Sequence, residues 1–236
     1  MRHARLVLTV VTAIGATIAM PPSAQATTAS CFGRAATIVG TDGNDRIDGT
    51  DSPGADVIVT LGGDDTVLAG GGNDRICTGT GNDGVNGMQG DDLINVGPGD
   101  DGAGGGYGSD RIYLGSGNDT YDGDAGGSVN HLDTVWGQAG KDTIDTDLDS
   151  PMNVYGGTGD DSIRAFSRWS DTVRGGRGAD TINVRDFDYY DGIYTQSDDG
   201  DIVRGGRQPE GTTDSCVVNT NDTVSGCEDV ETHDDT

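Results

Sequence analysis

Apolar residues are sparse in this chain, and between residues 51 and 122 they keep a fixed interval. Ile58, Val67, Ile76, Val85, Ile94, Ala103, Ile112 and Tyr121 follow one another nine residues apart. Two residues before each stands an aspartate: Asp56, Asp65, Asp74, Asp83, Asp92, Asp101, Asp110 and Asp119. Two residues before each aspartate stands a glycine, from Gly54 to Gly117, and the residue between them is mostly Asn or Asp. Three columns kept through eight consecutive nonapeptides mark a repeat architecture, in which each unit is stabilised by its neighbours. The interval continues outside that block. Upstream, Gly43, Asp45 and Ile47 make one more unit; downstream come units at Asp133–Val135, Asp142–Ile144, Asp161–Ile163, Asp171–Val173 and Asp180–Ile182. Asp201–Val203 and Asp222–Val224 are weaker copies.

The turn segments carry a resemblance. Gly70-Gly71-Gly72-Asn73-Asp74-Arg75-Ile76 and Gly105-Gly106-Tyr107-Gly108-Ser109-Asp110-Arg111-Ile112 resemble the pattern G-G-x-G-x-D-x-U-x, U being a large apolar residue. That is the calcium-binding nonapeptide of the RTX, or haemolysin-type, repeat family. The resemblance implies an all-β fold, a parallel β-roll: six residues of each unit form a turn, three form a short strand, and two units complete a coil. About sixteen units would give eight coils and a rod roughly 40 Å long. As cofactor it implies several Ca2+. The ligands would be turn carbonyls with the sixth-position carboxylates Asp45, Asp56, Asp65, Asp74, Asp83, Asp92, Asp101, Asp110, Asp119, Asp133, Asp142, Asp161, Asp171 and Asp180. Asn73, Asn82 and Asn118 are read as shaping the turns rather than as ligands.

The residue chemistry supports this reading. Glycine lets a turn take positive φ and brings backbone carbonyls close to an ion. A three-residue strand sends one side chain inward, so stacked coils build only a thin aliphatic ladder. That ladder is too small to offset chain entropy by itself, and stacked aspartates repel. Calcium, a hard cation taking 6–8 oxygens, answers both problems. With alternate units on each side, one side stacks Asp56, Asp74, Asp92 and Asp110, the other Asp65, Asp83, Asp101 and Asp119.

Composition offers the rival reading. Of 236 residues only 32% are apolar, 42 are Gly and twelve are aromatic (three Phe, seven Tyr, two Trp), and the formal net charge is −26. Low hydrophobicity with high charge usually means disorder. A disordered tail has no need of a nine-residue apolar period, so disorder is expected only of the calcium-free chain, with folding coupled to ion binding. Nucleic acid is excluded as a partner, because phosphate neutralisation needs clustered Lys and Arg, and Lys141 is the only lysine.

Residues 1–26 read as a signal peptide: Arg2 and Arg5, an apolar run from Leu6 to Met20, then Ala24-Gln25-Ala26 as cleavage site. The run is short for a membrane span, and no other long apolar run exists. Cleavage leaves 12 basic and 40 acidic residues in a secreted, extracellular product. Its four cysteines read as disulfides, with three pairings open. Cys31–Cys77 with Cys216–Cys227 is favoured, since each pair then ties one end of the array. Roughly 3–4 kcal/mol per bridge follows from loop entropy. The organisation expected is a leader over 1–26, an N-terminal cap over 27–39, a regular roll over 40–145, an irregular continuation over 146–204 and a C-terminal disulfide cap over 205–236.

No enzyme is expected. H-E-x-x-H and G-x-S-x-G are absent, paired acids such as Asp100-Asp101 are turn positions, and His131 beside Asp133 reads as a surface residue. The start Asp145-Thr146-Asp147-Leu148-Asp149 suggests an EF-hand loop, but Ser150 and Gly156 stand where its glycine and closing glutamate belong. Residues 184–200 interrupt the period with Phe187, Tyr189, Tyr190 and Tyr194, read as packing over the roll or, alternatively, binding a glycan or protein. The flanking runs Arg174–Arg177 and Arg204–Arg207 are read as replacing calcium charge in imperfect turns or balancing surface acid. Both ends, Cys31-Phe32-Gly33 and Asp222 to Val230, resemble exported RTX-like calcium-binding proteins of actinobacteria. The function expected is a secreted calcium-binding structural or adhesive protein, its partners calcium and a cell-surface or matrix polymer. The alternative is a calcium-dependent carbohydrate-active or glycan-binding protein using residues 123–200.

Overall fold

The computed structural model describes residues 29–123, 131–146, 151–165, 170–184, 188–190, 193–195, 202–206, 215–219 and 223–233. The leader 1–26, Asp147, Asp149, Asp201, Asp222 and most of the 184–200 segment lie outside them. The described residues contain no helix long and apolar enough to cross a membrane.

Two parallel sheets of ten strands each face one another. Sheet one runs from Ile38–Val39 through Val57–Val59, Arg75–Cys77, Leu93–Asn95, Arg111–Ser116, Asp133–Ala139, Met152–Thr158, Thr172–Arg177 and Ile202–Gly206 to Thr223–Ser225. Sheet two takes the alternate strands from Arg46–Asp48 to Asp229–His233, while Asp188–Tyr190 and Ile193–Thr195 pair antiparallel as a separate hairpin. The chain alternates between the sheets, so each strand pairs with the strand one full coil away. Ile58, Ile76 and Ile94 stand in one register, as do Val67, Val85 and Ala103 in the other. This is the parallel β-roll. All sixteen units read from the sequence are strands of it. Four more strands belong to the stack: Ile38–Val39, Met152–Thr158, Ser215–Asn219 and Asp229–His233. With strands spaced by about 4.8 Å, ten coils make a rod of roughly 43 Å.

The core is the expected ladder. From Ile58 to Cys216 the inward eighth positions are buried, Tyr121 among them. On one edge the ladder is widened by Val96 and Leu114 at the first turn position, both fully buried.

The N-terminal cap lies flat rather than across the end. Its hairpin, Ser30–Cys31 with Arg34–Ala35, packs on the outer face of sheet one, where Cys31 clusters with Val57 and Val59. The Cys31–Cys77 and Cys216–Cys227 disulfides are both formed. Along the same outer face Tyr113, Trp136 and Tyr155 stack ring on ring, with centroids 4.5 and 5.8 Å apart. Phe32 of the hairpin meets Tyr113, and the Arg174 guanidinium covers Tyr155 at 5.3 Å. Arg174 therefore sits on the sheet face as a cation–π partner, not in a turn. Asp145, the first residue of the supposed EF-hand loop, lies in strand Thr143–Thr146 and pairs with Arg164, so no such loop begins there.

Candidate metal centre

From Gly63 to Gly117 each turn places its fourth-position glycine directly over the preceding coil. Gly81 has φ +127°, and a Cβ there would collide with the Gly63 carbonyl oxygen. No other residue can take this turn without moving a neighbouring coil, which is why the column is glycine.

The sixth-position aspartates form two vertical ladders, one along each edge of the roll. On the edge leading into sheet two, the Asp45 N–H donates to Asp65 Oδ1, Asp65 to Asp83, Asp83 to Asp101 and Asp101 to Asp119. The series continues through Asp142 and Asp161 to Asp180, all at 2.7–3.0 Å. On the edge leading into sheet one, Asp56 donates to Asp74, Asp74 to Asp92, Asp92 to Asp110 and Asp110 to Asp133. Further along that edge Asp171 accepts from the Met152 N–H at 2.8 Å. The structure thus assembles all fourteen aspartates expected from the sequence into the two stacks.

Each carboxylate spends one oxygen on the preceding coil. The other oxygen is buried and has no hydrogen-bond partner in Asp65, Asp74, Asp83, Asp92, Asp101, Asp110, Asp119, Asp142 and Asp161. A buried, unpaired carboxylate oxygen is costly unless a cation meets it. The surroundings show where. A Cβ on Gly87 would touch both Asp92 Oδ2 and the Gly105 carbonyl oxygen of the next coil. Gly137 stands likewise over Asp142 Oδ2 and Gly156 O, and Gly156 over Asp161 Oδ2 and Gly175 O. A carboxylate oxygen and a carbonyl oxygen therefore converge on a space that glycine keeps open. Among the described residues no three His, Cys, Asp or Glu side chains gather at one point. Such a donor set, few carboxylates completed by carbonyls, suits a hard cation such as calcium and not zinc.

Electrostatics agree. Burial pushes Asp92 up to about 8, and Asp110, Asp119 and Asp161 to about 7. Asp74, Asp101 and Asp133 rise to about 6 for the same reason, and neighbouring aspartates add to most of these shifts. The first member of each ladder differs. Asp45 Oδ2 accepts from the Thr41 N–H at 2.6 Å, and Asp56 accepts from the Thr37 and Ser52 hydroxyls.

The fifth turn positions make a second ladder that runs the opposite way. Asn44 Oδ1 accepts from the Asp64 N–H of the following coil, Asp64 from Asn82, Asn82 from Asp100, Asp100 from Asn118, and Asn118 from Lys141. Asn73 accepts from Asp91 on the other edge. Asn73, Asn82 and Asn118 thus hold turns together through Oδ1. Asn and Asp alternate along this row, which keeps its like charges two coils apart.

A family profile for RTX calcium-binding nonapeptide repeats matches residues 33–52, 50–85, 78–102, 105–129, 133–150, 153–167 and 170–186, well over half of the chain. The chain belongs to the RTX repeat family. RTX repeats bind calcium, and the buried carboxylate oxygens with their facing carbonyls are the groups here that fit it. No curated protein matches the sequence.

Turn carbonyls are expected beside the carboxylates; that those of Gly105, Gly156 and Gly175 face them is visible only in the stacked coils. One element of this RTX site escaped the sequence reading. The coil at Met152–Thr158 has methionine at the sixth position, although Val135, Val154 and Val173 at intervals of 19 carry its signal.

Proposed function

We propose that this RTX protein is exported and serves outside the cell as a calcium-stiffened rod, a structural or adhesive element. The observation that carries the reading is the row of buried aspartate oxygens facing carbonyls of the next coil. In the proposed mechanism the ions lie between stacked turns, joining each coil to the next where the aliphatic ladder alone is too thin. Each ion supplies positive charge and takes up the remaining oxygen lone pairs; the chain's own residues set the spacing, exclude water from one carboxylate oxygen and fix the other by hydrogen bonds. Two disulfides suit an oxidising compartment, as does an N-terminal leader cleaved after Ala26. The affinity expected for an extracellular module is about 10⁻⁴–10⁻³ M.

Titration calorimetry on the mature chain tests this. About ten ions per chain are expected from the stacked intervals; one or two would refute the array. A glycan-binding screen with and without calcium separates a structural rod from the glycan-binding alternative, in which residues 123–200 contact a surface polymer. The stacked faces of Tyr113, Trp136 and Tyr155 are turned to one another, so this aromatic row offers no open ring face between its members for a sugar.

A further inference from the structure

The two edges of the roll are unequal. Across the edge leading into sheet two, inward residues stay nine apart as far as Ile182: Ile112 to Tyr121, Val135 to Ile144, Val154 to Ile163 and Val173 to Ile182; the next crossing, Val203 to Cys216, takes thirteen. Across the other edge the interval lengthens from nine to fourteen between Tyr121 and Val135, ten between Ile144 and Val154, and 21 between Ile182 and Val203. The aspartate ladders follow the same division. The regular edge carries an unbroken series from Asp45 to Asp180. The lengthened edge carries Asp56 to Asp133 and then meets Met152, which stands directly beside Asp133 in the strand register.

Met152 keeps the backbone half of the ladder, since its N–H donates to Asp171 Oδ1. Its side chain does the opposite of a ligand: it is 3% exposed and belongs to the apolar core. A thioether is a poor partner for calcium, which selects oxygen. At the sixth position this coil therefore offers a thioether where its neighbours offer a carboxylate.

We infer that Met152 interrupts the calcium series of the lengthened edge between Asp133 and Asp171, while that of the regular edge continues unbroken to Asp180. This rests on the calcium reading above and adds where one series breaks. At that coil the rod is then held by calcium on one edge only.

The test is Met152→Asp, with Met152→Leu as the packing control. Calorimetry should count about one to two further ions for Met152→Asp, because an interior carboxylate serves two intervals, and no change for Met152→Leu. An unchanged count in a Met152→Asp chain with native circular dichroism would overturn the inference. Should that variant not fold, hydrogen exchange of Thr172–Val184 at limiting calcium decides. Asp83→Ala, on the regular edge, should raise exchange there, and Asp74→Ala should not; equal effects would count against the division. A wild-type chain that bound no calcium would instead sink the underlying reading.

Discussion

The backbone N–H of Asp83 donates to Oδ1 of Asp101, eighteen residues on, at 2.7 Å, while Oδ2 of Asp101 stays buried without a protein hydrogen bond. One carboxylate thus ties two coils together and presents a charge to the space between them. Structure and ion binding share a residue, and substitutions can separate the two roles.

Asp83→Asn keeps the Oδ1 acceptor for the Asp65 N–H and removes the charge. Asp83→Ala removes both. The asparagine variant should fold at high calcium with its calcium midpoint raised about tenfold, as expected for losing one charged contact worth ~1.4 kcal/mol or more. The alanine variant should shift further. Calcium titrations followed by circular dichroism give both midpoints, and coincident wild-type and Asp83→Ala curves would contradict the ligand assignment.

Acidity should partly replace calcium. Burial raises Asp92 to about 8 and Asp110, Asp119 and Asp161 to about 7, above the ordinary unfolded carboxylate value near 4. Raised folded values mean that the metal-free roll is favoured while these acids are protonated. That contribution is complete below about pH 4 and is lost as pH rises through 6 to 8. Chelated protein moved from pH 8 to pH 5 should therefore gain β structure. Conversely, calcium binding near pH 7 should release protons, seen as a buffer-dependent calorimetric heat. A heat independent of buffer ionisation would argue against these shifts.

The turn glycines are not interchangeable with alanine, and one non-glycine turn can be improved. Gly81→Ala meets both positive φ and the Gly63 carbonyl oxygen, so a loss of about 2 kcal/mol or more is expected. Met88 stands at the second turn position, left-handed with φ 74°, where Gly70, Gly79 and Gly97 serve in other coils. Met88→Gly should relieve about 1 kcal/mol of that strain and raise the melting temperature by a few degrees. Thermal melts in saturating calcium would show opposite signs for the two variants.

Removing the disulfides should cost unequal amounts. Cys31–Cys77 spans 46 residues and Cys216–Cys227 spans 11, so loop entropy assigns about 4 and about 3 kcal/mol. The paired serine variant of the first should melt lower than that of the second. It should also free the hairpin from sheet one, detected as faster exchange at Val57–Val59.

The sequence alone determined the period, the fold class and the aspartate columns, each written within a nine-residue window by glycine, carboxylate and aliphatic chemistry. Its even cysteine count left three disulfide pairings open and favoured the pair of pairs that formed. The disulfides were read from their place at the ends of the array and needed no geometry. What lay 18 to 23 residues away was decided only by tertiary structure. Parallel register set which carboxylate oxygen meets the previous coil and which is left for an ion. The same register sent the fifth-position ladder in the opposite direction. It put every lengthened connection between Asp122 and Ile202 on one edge. It also placed Met152 in line with Asp133, where no local pattern flags it, because methionine there satisfies the apolar core and not the repeat. The N-terminal hairpin followed the same rule. Cys31 marked its tether, but only the exposed outer face of Val57 and Val59 could fix where it lies, since covering that apolar strip removes it from water.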